Sequence, residues 1–298
     1  MTRPQWEDLP ETVQNAIQAV TGPIVKAEAV PGGIMPGLAA RLRTERDEYF
    51  VKAAPADSPA APRYRGELFA NRALPQDAPS PALYWGDEPD GWVVMLFEYV
   101  DGRQADLSPC SADLPSVFST IERLHDVLVP SPWPIAPPVT ANVAALQEKA
   151  HRLLSEYSHL IGAETSEQYR VALNRFDVAA LSGETMLHYD LHAPNLRVSG
   201  GQVFVLDWSF ACRGSAWVDL ALLAPRMIEA GHRPRQVDAL LNQFPGWEDA
   251  PRSAVAGLAA LWTMFREYKG LFGPEGLREA RRCAAAAGQV WLSYFAGH

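Results

Sequence analysis

The apolar residues of this 298-residue chain change their spacing near residue 100, and that change limits the architectures open to it. Before it, apolar residues fall in short runs separated by turns. Ile24–Val30, Leu38–Leu42, Tyr49–Lys52, Leu83–Trp85 and Trp92–Tyr99 each read as a strand. The charged turn Arg43–Glu48 between two of these runs predicts a hairpin. Two helices interrupt the strands: residues 5–20, with Trp6, Leu9, Val13, Ile17 and Val20 at helical spacing, and residues 64–74. After residue 100 the texture is helical, over 117–129, 142–161, 166–181 and from Asp219 to the C-terminus, with one short strand at Gln202–Asp207. Prolines 225, 234, 245, 251 and 274 mark breaks in the last stretch. Strands followed by helices predict an α+β fold in two lobes, 1–100 and 101–298, with the polar segment Asp101–Asp106 as a hinge.

The net charge of −9 argues against a nucleic-acid binder, which needs clustered Lys and Arg. Residues 1–100 carry 14 acids and 9 bases, net −5, leaving 21 acids and 17 bases, net −4, for the rest. The acidity is therefore not concentrated in one half. Three cysteines, Cys110, Cys212 and Cys283, are too few and too dispersed for a disulfide framework or zinc motif. Residues 1–18 lack the apolar core of a signal peptide, and no apolar run reaches 18 residues, so a cytoplasmic protein without a membrane partner is expected. Nothing in the sequence fixes the oligomeric state.

The segment that carries chemistry is Met186-Leu-His-Tyr-Asp-Leu-His-Ala-Pro-Asn-Leu196, followed by Val203-Phe-Val-Leu-Asp-Trp208. Phosphoryl transfer to a hydroxyl requires a carboxylate that orients the hydroxyl, oxygen ligands for Mg²⁺ and a cation on the phosphates. Asp190 suits the first role, and Asn195 and Asp207 the second, because Mg²⁺ prefers carboxylate and amide oxygens. Asp190 and Asn195 stand five apart, the spacing of a kinase catalytic loop. A second reading places His188, Asp190 and His192 on one face of a strand around a metal such as zinc, which leaves Asn195 and Asp207 without a role.

The pattern His188-x-Asp190-Leu-His192-x-x-Asn195, followed by Val-Leu-Asp207-Trp-Ser, resembles the signature of the aminoglycoside phosphotransferase family, which includes choline and other small-alcohol kinases. The resemblance implies a protein-kinase-like fold, ATP with Mg²⁺ as donor system and a small hydroxylated acceptor. It also implies roles in the first lobe. Lys52, ending an apolar run, corresponds to the phosphate-binding lysine, and Glu67 in the next helix to the partner that orients it. The glycine-rich turn Gly32–Gly37, with Gly33 at its centre, would cover the phosphates, although it departs from G-x-G-x-x-G spacing. The backbone of Glu98–Val100 would meet adenine. His188 is expected to brace the catalytic loop and Asp219 to support it, while Trp208, Phe210, Trp217 and Cys212 are expected to pack. The acceptor pocket is expected within 140–182 and 219–298. Three functions follow: a kinase of an aminoglycoside or other hydroxylated antibiotic, a metabolic kinase of a small alcohol, amino alcohol or sugar, or an inactive kinase-like binding protein.

Overall fold

Leu38, Ala40 and Leu42 are buried while their neighbours in sequence are half-buried, the alternation of a strand with one face on a core. The computed structural model describes residues 4–30 and 36–296, and it divides into two compact units. The first comprises residues 1–103 and 197–211, the second 104–196 and 212–298.

In the first unit, strands β1 (Lys26–Ala29), β2 (Leu38–Arg43), β3 (Glu48–Pro55), β4 (Leu83–Asp87) and β5 (Trp92–Glu98) form an antiparallel sheet in the order β1-β2-β3-β5-β4. The apolar run Val93–Phe97 is buried on both faces because β5 lies inside the sheet with a core on each side. Val94 and Leu96 pack with Leu9, Val13 and Ile17 from the N-terminal segment that contains helix α1 (Glu11–Thr21). Val93, Met95 and Phe97 pack with Tyr64 and Leu68 of helix α2 (Ala61–Ala73). The helix expected over 5–20 is split, because Pro10 caps α1 and leaves a short 3-10 turn at Trp6–Asp8 before it.

The second unit holds α3 (Leu114–Val127), α4 (Val139–Glu156), α5 (Ser158–Ile161), α6 (Ala163–Asn174), α7 (Trp217–Glu229), α8 (Pro234–Leu241), α9 (Arg252–Phe272) and α10 (Glu275–Ala296). Helix α9 is buried nearly all round, from Leu258 through Met264, as suits a central helix packed by α4, α6, α7 and α10. The helix expected over 166–181 ends at Asn174. There Asp177 starts a separate 3-10 turn by accepting the amide of Ala179 at 2.9 Å. The helix expected over 142–161 breaks at Tyr157. Pro225 does not break α7, whose residues are buried from Trp217 to Pro225, whereas Pro234 opens α8 and Pro251 caps α9. The short strand β6 (Arg103–Gln104) lies where the chain passes from the first unit to the second.

Three strands of the middle of the chain, β7 (Thr185–Leu187), β8 (Leu196–Ser199) and β10 (Cys212–Gly214), were not read as elements, and β7 and β10 form an antiparallel pair in the second unit. Strand β8 turns through Gly200 and Gly201, at φ +56 and +80, into β9 (Gln202–Val205), which falls within the strand expected at 202–207. Two consecutive positive φ values are what a tight hairpin turn demands, and glycine supplies them without strain.

The sheet-rich first unit and the helical second unit make the expected α+β architecture. No helix among the described residues is long and apolar enough to cross a membrane.

Candidate active site

In the first unit, the site starts from strand alternation. Phe50 and Ala54 face the core under α2, so Lys52 between them points to the same side. Glu67 is buried on α2, and Lys52 Nζ donates to its Oε1 at 2.7 Å. Asp207 follows β9, and its Oδ1 lies 3.4 Å from the same ammonium. The ring of Tyr64 sits 5.7 Å from Lys52 Nζ. Burial alone would favour a neutral lysine, but Glu67 and Asp207 outweigh it and raise the pKa of Lys52 above its ordinary value. Burial pushes the carboxyl of Glu67 up to about 7 against the pull of that lysine. A buried ammonium held by one carboxylate and approached by a second is a fixed cation beside a carboxylate that remains partly exposed.

Asp207 takes φ +62, a left-handed backbone that costs a non-glycine residue about 1 kcal/mol or more. Beside it, the Trp208 indole N–H donates to Ser80 Oγ at 3.1 Å and to the Val205 carbonyl at 3.2 Å. Trp208 is therefore a packing residue, as expected, and anchors the turn that carries Asp207. Phe210 lies under the Arg63 guanidinium at 4.2 Å. Glu98 ends β5 and gives its amide to Ala82 O at 2.8 Å. Val100 lies two residues past the strand end. Gly33 lies outside the described residues. Of its turn, Gly37 is described, and a Cβ there would fall 2.2 Å from Tyr64 Oη.

In the second unit, β7 delivers the chain to His188, which is fully buried, and then to Tyr189 at φ +69. One side chain holds this strained turn. Asp219, buried in the first turn of α7, accepts the His188 amide at 2.9 Å and the Tyr189 amide at 2.6 Å. Burial raises the pKa of Asp219, opposed by His188, His125 and the two amides. His188 Nδ1 accepts the Asp190 amide at 3.2 Å, which ties the ring to the backbone of the loop. Asn195 Nδ2 donates to the Asp190 carbonyl at 2.9 Å and closes the loop, so Oδ1 is the end of its amide suited to a hard cation.

The Asp190 carboxylate has His192 Nε2 at 3.4 Å and Arg226 Nη2 at 3.7 Å. Burial works against its ionised form, yet His192, Arg226 and His188 hold its pKa below the ordinary aspartate value. Arg226 escaped the sequence reading. It sits seven residues after Asp219 on α7, two helical turns along the same face, a spacing that would have pointed to it. Among the described residues no group of three or more His, Cys, Asp or Glu is placed to hold a metal, which leaves the zinc reading of His188, Asp190 and His192 without support. Cys212 is buried, and none of the three cysteines, all among the described residues, is in a disulfide.

The structure thus gathers Lys52, Glu67 and Asp207 in one unit and Asp190, Asn195 and Asp219 in the other. The profile of the phosphotransferase enzyme family, APH, matches residues 37–251, well over half of the chain. This chain belongs to that family. A search of curated protein sequences found no match for this phosphotransferase. Its fold is similar to that of a thermostable mutant of aminoglycoside phosphotransferase APH(4)-Ia (TM-score 0.64, 15% identity, 95% of this chain and 99% of that one). It is similar too to choline kinase LicA from Streptococcus pneumoniae (TM-score 0.66, 14% identity, 96% and 98%). The amicoumacin kinase hAmiN, in complex with AMP-PNP, Ca²⁺ and Ami, shares the fold at TM-score 0.58 and 12% identity, over 96% of this chain and 92% of that one.

Proposed function

We propose that this phosphotransferase moves the γ-phosphate of ATP to a hydroxyl of a small molecule. The observation that carries the reading is the Lys52–Glu67 pair with Asp207 beside it, a buried ammonium fixed next to a partly exposed carboxylate. Lys52 steadies the nucleotide phosphates, and Glu67 sets its position. Asp190, kept ionised by its neighbours, orients the acceptor hydroxyl and takes its proton. Asn195 in the second unit and Asp207 in the first each offer an oxygen of the kind Mg²⁺ takes, an amide and a carboxylate. A metal held by either would offset negative charge on the phosphates. The backbone of Glu98 and Val100 lies at the end of β5, in keeping with an adenine contact. Most of the acceleration is assigned to positioning and charge neutralisation.

An aminoglycoside or other hydroxylated antibiotic and a small alcohol, amino alcohol or sugar both suit this catalytic set. The likeness to APH(4)-Ia favours the first and the likeness to LicA the second. Arg226 beside Asp190 disfavours a polycation, since a guanidinium next to the hydroxyl site repels one.

The test is a coupled assay of ADP release from MgATP across aminoglycosides, other hydroxylated antibiotics, amino alcohols, sugars and hydroxy acids. Acceptor-dependent release that Asp190→Asn abolishes is the expected result. MgATP binding without release for any acceptor would favour the inactive-kinase reading, and no MgATP binding would overturn the proposal.

A further inference from the structure

The surroundings of Asp190 hold more positive charge than the transfer reaction uses. Arg226 touches Asp190 on one side and Glu229 on the other, at 3.7 and 3.4 Å. Its guanidinium also lies 5.0 Å from the centre of the Trp262 ring. A second guanidinium, that of Arg266, lies 4.8 Å from the same ring, one helical turn along α9. Arg266 is only 7% exposed, and its Nε has no hydrogen-bond partner. No carboxylate among the described residues lies within ion-pair distance of it; its neighbours are the rings of Trp262 and Phe265. A third arginine, Arg281 on α10, is partly buried within electrostatic reach of Arg226, Asp190 and Glu229. Burial and then Arg226 lower its pKa, so like charges crowd there.

Arg226 and Arg281 therefore share the carboxylates of Asp190 and Glu229, one of which, Asp190, must be left to a hydroxyl, while Arg266, at the Trp262 ring, has no carboxylate partner among the described residues. Buried charges are ordinarily paired, and an unpaired one is expensive to hold. Stacking on an indole offsets part of that cost, because the ring face is electron-rich. It does not use the N–H fork of arginine, whose geometry matches two oxygens of a carboxylate or phosphate.

We propose that the acceptor carries an anionic oxygen group, a carboxylate or a phosphate, which Arg226, Arg266 and Arg281 receive around Trp262 beside Asp190. The proposal rests on the phosphotransferase reading for the word acceptor, and it narrows that reading to hydroxylated acids and away from aminoglycosides.

The test uses the full chain with saturating MgADP, so that the nucleotide site does not take up the probe. Sodium sulfate is titrated against sodium chloride at matched ionic strength, with heat and tryptophan fluorescence recorded. Saturable binding of sulfate over chloride is expected, weakened by about tenfold or more in Arg281→Gln and Arg266→Gln, as loss of a charged hydrogen bond implies. Arg266 is buried and its variant can unfold; Arg281 is only partly buried, so Arg281→Gln keeps the test decisive, with circular dichroism as the folding control. Equal responses to sulfate and chloride, or sulfate binding unchanged in Arg281→Gln, would overturn the proposal. Failure of MgADP to bind would instead count against the phosphotransferase reading, and the part of sulfate binding that Arg281→Gln weakens would then still read the arginine cluster.

Discussion

The two units hold their candidate groups by different means. In the first, two side chains fix each other: Lys52 from a strand and Glu67 from a helix meet as a buried ion pair. In the second, a side chain fixes backbone. The Asp219 carboxylate accepts two successive amides and keeps Tyr189 in a left-handed turn, so that Asp190 is presented on a loop. A side-chain pair sets the place of a charge but remains vulnerable, since removing one partner strands the other in a dry site. A backbone clamp spreads its effect over the loop, and the group it presents can be changed with little structural cost. The two regions should therefore separate stability from turnover.

The largest effect is expected on the pair. Glu67→Ala leaves Lys52 buried without its main partner and is expected to cost about 3–5 kcal/mol of stability, read from urea unfolding, together with weaker ATP binding. Unchanged stability would mean that Asp207 alone satisfies the lysine. The converse belongs to the loop. Asp190→Asn is expected to lower turnover by about 10²-fold or more, with the unfolding midpoint and MgATP binding nearly as in the parent. A large loss of stability there would erase the contrast between the units.

The clamp itself comes third. Asp219→Asn keeps the shape of the side chain but replaces one acceptor oxygen with a donor, leaving one buried amide unmet. The expected loss is about 1–3 kcal/mol, with faster amide hydrogen exchange at His188 and Tyr189. Exchange confined to other segments would show that Asp219 does not hold the turn. The smallest effect is on pH dependence. The folded pKa of Asp190 lies below its ordinary 3.8, so its ionised form is fully present above that value and is lost as pH falls through the lower folded one. His192→Gln removes the largest charge-favouring contact, and the acid limb of kcat/KM is expected to move upward. A limb that stays in place would assign the low value to Arg226 and His188.

Much of this was legible beforehand, because periodicity and local chemistry are written in neighbouring residues. The runs that became β2, β3 and β5 announced a sheet, and the Asp190–Asn195 spacing announced a loop whose amide reaches back to its own carbonyl. Lys52 and Glu67 were placed on the right strand and helix, and the structure sets them 2.7 Å apart. Local reading failed where an end was decided by a break in register, as at Tyr157 and Asp177, and where strands were too short to show a period, as in the β7–β10 pair. The surroundings of Asp190 lay further out of reach. Arg226, Trp262, Arg266 and Arg281 come from three helices and are scattered over more than fifty residues, so nothing in their local sequence ties them together. Sequence determined most of the elements and proposed the candidate site residues, because those readings depend on patterns a few residues apart. Only the tertiary structure decided which charges meet around Asp190, because helix packing sets those distances and the chain between the helices does not encode them.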